Sequence, residues 1–121
     1  MSILDSFITK ARTLKKSVVF PEIWDNRILE ASASISKQSI ARPILPGNPE
    51  EIQKNISASG ISPGDVDIID TKNPQIIEEL SKIYQKQRPN IPEKVAMHLV
   101  KKPLVFAGLL VASGRADAMV A

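Results

Sequence analysis

The sequence predicts an α/β fold, a three-layer sandwich built on a mainly parallel sheet. Short apolar runs alternate at least three times with longer segments of helical periodicity along the 121 residues. Parallel strands need crossover connections, which helices supply, so this alternation favours a sheet covered by helices. No internal repeat or linker composition divides the sequence, so residues 1–121 are expected to form a single α/β domain.

The first predicted elements are an amphipathic helix and a short strand. Ser2 is placed to cap the helix, and Lys15 and Lys16 lie at its carboxyl end. The strand covers residues 17–20 and is closed by Pro21. The apolar positions that recur at helical spacing are Ile3, Leu4, Phe7, Ile8, Ala11 and Leu14.

A second helix and a proline-containing strand follow. Asp25 is suited to cap the helix. The next strand candidate, residues 43–46, contains Pro43 and Pro46. Because a proline cannot donate to the sheet ladder, this strand is expected near an edge. The predicted inner side of the helix carries Ile28, Leu29, Ala31 and Ile35.

Asn-Pro pairs mark the starts of the next two helices. Asn48 can cap one helix with Pro49 at its first position, and Gly60 is a natural stop. Residues 66–70 form the third predicted strand, and Asn73-Pro74 repeats the same start signal. The apolar positions of the second of these helices are Ile76, Ile77, Leu80, Ile83 and Tyr84.

The last third of the sequence predicts two helices and a final strand. One helix starts at about Pro92, and an apolar helix starts at Pro103. The strand lies around residues 118–120. A parallel strand usually delivers its carboxyl end to a functional loop, so that loop is expected beyond Ala121.

Composition favours a cytoplasmic protein. The absence of cysteine excludes disulfides and thiolate metal sites. No signal-peptide pattern is visible, and the longest apolar run, in 103–113, is too short to span a bilayer. The net charge of +3 fits a lysine-rich solvated surface or an anionic ligand. Nucleic acid is not an expected partner, because no aromatics are interleaved with the dispersed basic residues.

No catalytic residue or metal-ligand set is predicted. No glycine-rich phosphate loop follows the first strand, and no Gly-Lys-Ser/Thr occurs. Gly47 and Gly60 fit turn and cap roles. The sole histidine, His98, has no second histidine one helical turn away. A structural role, a general base and a metal ligand all remain open for it.

Two groups of polar residues are candidates for ligand contact. Glu22, Asp25 and Arg27 follow the first strand, where an α/β fold places its ligand crevice. The structural alternative is that Asp25 caps the helix and Arg27 forms an ion pair. Arg88 can either bind solvent and helix carbonyls or contact an anion through its guanidinium. Trp24, the sole tryptophan, is expected to be a packing anchor, with a ligand platform as the alternative.

Four segments, taken in order, resemble phosphate acetyltransferases. Pro21-Glu22 follows the first strand and Asp25-x-Arg27 precedes the next helix, as in that family. A Gly47-Asn48 turn and a final run ending in Met119-Val120 are similar to the family's later motifs. The resemblance covers nearly the whole chain but only the amino-terminal portion of the longer family proteins. The four segments are residues 17–31, 43–52, 66–70 and 106–120.

The resemblance implies an acyltransferase of acetate metabolism. Such enzymes interconvert acetyl-CoA plus phosphate with acetyl phosphate plus CoA, so CoA is a substrate and no bound cofactor is expected. Their fold is similar to isocitrate and isopropylmalate dehydrogenases, with two α/β domains and a cleft between them. Family members commonly dimerise, and Arg88 is the nearest match to an arginine that contacts substrate. The family's Ser-Gly-Ala segment would follow Val120, so residues 1–121 alone are expected to be inactive.

A non-catalytic module of receiver-like or regulatory type is the alternative. Asp70 ends a strand of an α/β chain, where a phosphoacceptor could lie. However, Pro21-Glu22 follows the first strand where a receiver has a close acidic pair for Mg²⁺. No strand-end lysine is evident near the carboxyl terminus either.

Overall fold

The chain folds into alternating helices and strands. A computed structural model describes residues 3–14, 16–58, 60 and 66–121. Six helices and four strands lie within these ranges. They are α1 (Ile3–Leu14), β1 (Ser17–Val19), α2 (Asn26–Lys37), β2 (Arg42–Gly47), α3 (Pro49–Ala58), β3 (Asp67–Asp70), α4 (Pro74–Gln87), α5 (Glu93–Leu99), α6 (Pro103–Ala112) and β4 (Ala118–Met119).

The sheet is parallel throughout, in the order β3-β2-β1-β4. Successive strand residues point to opposite faces of the sheet. Val19 and Ile44 join a core cluster with α4 and α6, whereas Phe20 and Leu45 join a second cluster with α2 and α3. Helices therefore cover both faces, which confirms the predicted three-layer α/β sandwich.

The prediction that the proline-containing strand lies near an edge is wrong, because β2 pairs with both β1 and β3. The backbone groups of Arg42 and Ile44 bond to the β1 segment, so even-numbered residues of β2 face β1. Pro46 faces that side beyond the last paired residue of β1, Val19. Pro43 faces β3 one residue before their pairing begins. Neither missing N–H therefore interrupts a ladder.

The predicted helix starts are confirmed at three side chains. Asp25, Asn48 and Asn73 each accept a hydrogen bond from the backbone N–H two residues further on, at 2.9, 2.9 and 3.0 Å. Gly60 has a φ of +73°, which suits a helix stop. The predicted cap Ser2 and Lys15, the lysine expected at the carboxyl end of the same helix, both lie outside the described residues.

The predicted inner side of α2 is partly wrong. Ala31 is exposed, whereas Ser32 and Ala33 are buried beside the predicted Leu29. Positions three and four residues after Leu29 share its face of the helix, and position 31 does not.

Helix α1 forms as predicted, but Ile3 and Leu14 are 76% and 53% exposed. The side chains of Leu4, Phe7, Ile8 and Ala11 lie outside the described residues.

Helix α6 forms the apolar centre of the layer on its face of the sheet. Phe106, Ala107 and Leu110 are fully buried in the cluster with α4. Over the ranges that the structure describes, no single helix is long and apolar enough to cross a membrane. Helices α5 and α6 meet that test only when taken together, with a bend of 103° between them.

Candidate functional site

A cleft of about 340 Å³ lies at the carboxyl ends of β1, β2 and β3. Four connections meet there: the loop after β1, the β2–α3 turn, the β3–α4 turn and the α5–α6 turn. In open parallel α/β sheets, ligands bind at this edge. We call it the carboxyl-edge cleft. Its lining residues are Pro21, Ile23, Trp24, Pro46, Gly47, Asn48, Glu51, Thr71, Lys72, Lys101 and Pro103.

Close backbone packing at Gly47 holds the floor of the carboxyl-edge cleft. A Cβ atom on Gly47 would lie 2.7 Å from Ile23 Cδ1 and 3.0 Å from Ile52 Cδ1. Ile52 is fully buried, so its methyl group cannot move into solvent, whereas Ile23 lines the cleft and is 8% exposed. The absent side chain therefore allows the β1 loop to approach the end of β2.

The prediction that Trp24 is a packing anchor is wrong, because 63% of its surface is exposed. Pro21 and Ile23 take the inward positions of the β1 loop, and the turn at residues 23–24 leaves the indole on the cleft rim. A large exposed aromatic that borders a cleft can contact a ligand through both its apolar face and its N–H.

Two lysines from different turns line the same cleft. Lys72 lies in the β3–α4 turn and Lys101 in the α5–α6 turn. Neither ammonium forms an ion pair within the part of the chain that the structure describes. The Glu51 carboxylate also lines the cleft, so its acidic and basic side chains together carry a net charge of +1. The cleft is thus electrostatically suited to an anion.

The start of α6 adds to this positive field. Lys102 is the N-cap and makes no side-chain capping hydrogen bond, and Lys101 precedes it. The amino terminus of a helix carries partial positive charge, which makes a lysine unfavourable there. Helices α3 and α4 begin differently, with Asn48 and Asn73 as side-chain caps. Sequence reasoning missed Lys72 and Lys101, although two cations before a proline-started helix were a usable signal.

The acidic and basic group after β1 has a structural role. Asp25 Oδ1 accepts from the Arg27 backbone N–H at 2.9 Å, and Asp25 Oδ2 lies 3.0 Å from Arg27 Nη2. The side-chain hydrogen bond from Arg27 is the main cause that lowers the pKa of Asp25. The same bond raises the pKa of Arg27, and the nearby Glu22 charge adds a small further increase. These contacts agree with the cap and ion-pair interpretation.

The structure places Arg88 far from the carboxyl-edge cleft, and His98 is not among the residues that line it. Helix α4 has 14 residues and therefore runs about 20 Å from its start beside the cleft to its end at Arg88. The exposed Arg88 guanidinium lies 5.8 Å from the centre of the Tyr84 ring. His98 is exposed on α5. Residues 3–14, 16–58, 60 and 66–121 contain no cluster of three or more His, Asp or Glu side chains able to hold a metal ion.

The sheet order differs from that of a receiver module. Among the described strands, β3 pairs only with β2, whereas the receiver order places the third strand beside the first. Asp70 Oδ1 accepts from the Lys72 backbone N–H at 2.9 Å, so its carboxylate stabilises the β3–α4 turn. The receiver-like alternative is therefore not supported.

The sheet order and the two helical layers define a three-layer parallel α/β fold with a cleft at the carboxyl edge of its sheet. The sequence profile of the phosphate acetyl/butaryl transferase family matches residues 2–121, and the chain belongs to this family. The chain is 32% identical over 123 residues to a phosphate acetyltransferase of Acetivibrio thermocellus. All of this chain is covered in that comparison, and 36% of the relative.

Two further comparisons place the fold in context. An NADP-dependent malic enzyme of Escherichia coli is 32% identical over 118 residues, which are 93% of this chain and 16% of that enzyme. The EutD phosphotransacetylase from Staphylococcus aureus has a similar fold, with a TM-score of 0.84 and 19% identity. That match covers 98% of this chain and 38% of the solved one. The chain thus spans little more than a third of the phosphate acetyltransferases that it matches.

Proposed function

We propose that residues 1–121 are the amino-terminal α/β domain of a two-domain phosphate acetyltransferase. The complete enzyme would interconvert acetyl-CoA plus phosphate with acetyl phosphate plus CoA. The observation that carries this proposal is the family match over residues 2–121. The carboxyl-edge cleft supports it, because it gives this domain one side of a substrate site.

The proposed chemistry is direct acyl transfer. The CoA thiolate attacks the carbonyl carbon of acetyl phosphate, the C–S bond forms, and the C–O bond to phosphate breaks. This step needs a base that takes the thiol proton and cations that stabilise the charge on the leaving phosphate. This domain would supply cations, and we assign the base to the remaining part of the enzyme.

From the family resemblance, we assign Arg88 to a substrate phosphate group. Because the length of α4 separates Arg88 from the carboxyl-edge cleft, this proposed contact lies outside the cleft. The Arg88 guanidinium is exposed and has no carboxylate partner among the described residues, which leaves its hydrogen-bond donors available. Arg88→Gln would raise the KM for CoA or phosphate by about tenfold, the usual loss for one charge-assisted hydrogen bond. Arg88→Lys, which keeps the charge but not the fork, would retain part of the affinity.

The remaining properties belong to the same proposal. The substrates are small molecules, and neither a nucleic acid nor a membrane is a partner. We propose a cytoplasmic location, which the lack of cysteine supports. The full-length enzyme would form a homodimer.

A chimera tests the proposed function. Residues 1–121 would replace the matching third of the Acetivibrio thermocellus phosphate acetyltransferase, and acetyl phosphate formation from acetyl-CoA and phosphate would be measured. We expect activity from the chimera and none from residues 1–121 alone. A folded, inactive chimera would contradict the proposal, as would turnover by the 121-residue chain.

A non-catalytic regulatory role is the second candidate function. It is supported by the match to the malic enzyme, a protein named for a different activity that also contains a similar segment. The chimera separates the two candidates, because a purely regulatory domain need not have kept the substrate contacts that turnover requires.

A further inference from the structure

The carboxyl-edge cleft combines three features that none of the family motifs assigned. Lys72 and Lys101 supply unpaired cations, α6 starts without a side-chain cap, and the Trp24 indole lies exposed on the rim. The volume of about 340 Å³ falls within the range of small-molecule pockets.

The two lysines line the same cleft from separate turns of the fold, and both are exposed. The Asp70 carboxylate fixes the turn that carries Lys72, through its 2.9 Å bond from the Lys72 N–H. The backbone N–H of Lys101 donates to His98 O at 3.3 Å, which ends α5 and positions the second turn. An anion bound in the cleft would be attracted by both positive charges.

We infer that Lys72 and Lys101 bind a phosphate group of a ligand whose planar or apolar part lies against the Trp24 indole. A phosphate accepts hydrogen bonds from both ammonium groups and is favoured by the positive end of α6. The flanking aromatic favours a phosphorylated organic molecule over inorganic phosphate. This inference rests on the proposed function in one respect: because CoA contains an adenosine bisphosphate, that nucleotide is the probe used in the test.

Trp24 makes this site directly measurable, because it is the only tryptophan in the chain. Fluorescence excited at the indole band therefore reports the cleft alone. The 121-residue chain would be titrated with adenosine 3′,5′-bisphosphate, with inorganic phosphate, and with adenosine as the phosphate-free control. We expect a saturable change with the bisphosphate that weakens as ionic strength rises.

Charge variants test the role of the lysines. Lys72→Gln and Lys101→Gln should each weaken bisphosphate binding by about tenfold, the usual effect of losing a charge-assisted hydrogen bond. Glu51→Gln should strengthen it, because it removes the carboxylate that lines the cleft. Lys37→Gln is the matched control: it makes the same charge change in the last turn of α2, outside the cleft, and should leave binding unchanged. Circular dichroism would verify that each variant is folded.

The outcomes separate the possible ligands and the two proposals. Equal affinity for inorganic phosphate would support the phosphate site and overturn the role of the indole. No saturable change with either phosphate ligand would overturn the inference, as would unchanged binding in the Lys72→Gln/Lys101→Gln variant. If the chimera is active but the chain does not bind the bisphosphate, the proposed function stands and the inferred phosphate site is wrong. If the chain binds the bisphosphate but the chimera is inactive, the inferred phosphate site stands and the proposed function is wrong.

Discussion

The charged side chains at the two edges of the sheet differ in whether they form ion pairs with other parts of the fold. At the amino edge, Arg42 forms an ion pair with Asp67, and Arg115 Nη2 lies 2.6 Å from Glu79 Oε2. The Asp117 carboxylate accepts from the Ser17 N–H at 2.7 Å. Each of these charges joins two parts of the fold.

At the carboxyl edge, the cations of the cleft have no such partners. Lys72 and Lys101 form no ion pair with any described residue, and Lys101 lies before the positive end of α6. A charge arrangement that opposes the local helix dipole is typical of functional sites. The comparison therefore indicates a structural role for the paired charges of the amino edge and supports the proposed binding role of the cleft.

The largest expected effect is on catalysis by the chimera. Lys72→Gln combined with Lys101→Gln should lower kcat/KM by about 100-fold, because two charge-assisted contacts to phosphate are lost. The measurement is the initial rate of acetyl phosphate formation at limiting CoA and phosphate.

The amino-edge pair provides the control for that variant. Arg42→Gln combined with Arg115→Gln removes the same charge and should leave kcat/KM within about twofold, because neither residue lies at the cleft. A comparable loss in both double variants would refute the distinction between the edges.

The second effect concerns the backbone that forms the cleft floor. Gly47→Ala should reduce the free energy of unfolding by about 1–3 kcal/mol, because its Cβ overlaps the buried Ile23 and Ile52 methyl groups. Urea denaturation would measure the change. Gly108→Ala is the matched control, since a Cβ there meets no atom within 4 Å, and it should stabilise α6 by about 0.5–1 kcal/mol.

A smaller effect is expected at the amino edge. The Arg115–Glu79 pair joins α4 to the connection before β4, with side chains 44% and 41% exposed. Solvent screens such a pair, so a double-mutant cycle with Arg115→Gln and Glu79→Gln should give a coupling energy of about 0.5–1 kcal/mol. A coupling energy near zero would show that this ion pair does not contribute to the stability of the folded chain.

The smallest effect is a pH dependence at Asp25. Its pKa in the folded chain lies below the ordinary value of 3.8 because Arg27 hydrogen-bonds to it. A lowered pKa contributes stability above the unfolded value, and that contribution is lost as pH falls through the folded value. Asp25→Asn keeps the capping oxygen, so its deficit relative to the natural chain should be present at pH 7 and vanish in acid. Acid-limb unfolding curves of the two proteins would measure this, and a constant deficit would exclude the titration of Asp25 as its cause.

Local signals predicted most of the fold, and long-range contacts account for what was missed. The Asn-Pro starts at Asn48 and Asn73 determine their helices through bonds to amides two residues away, so a short window of sequence contains the whole cause. Strand β2 can lie inside the sheet because the missing N–H groups of its two prolines do not interrupt its pairing with either neighbour. The presence of two prolines in the sequence does not reveal where the neighbouring strands begin and end. The cleft likewise could not be predicted from a short window of sequence, because its lining includes residues as far apart in the sequence as Trp24 and Lys101.

The most direct test of the difference between the edges is a map of amide chemical shifts. The ¹⁵N-labelled 121-residue chain would be titrated with adenosine 3′,5′-bisphosphate and followed by heteronuclear correlation spectra. We predict that the largest shifts occur at the Trp24 indole N–H and at the amides of Lys72, Lys101 and Leu104. Shifts centred instead on Arg42 and Arg115 at the amino edge would contradict the assignment of binding to the carboxyl edge.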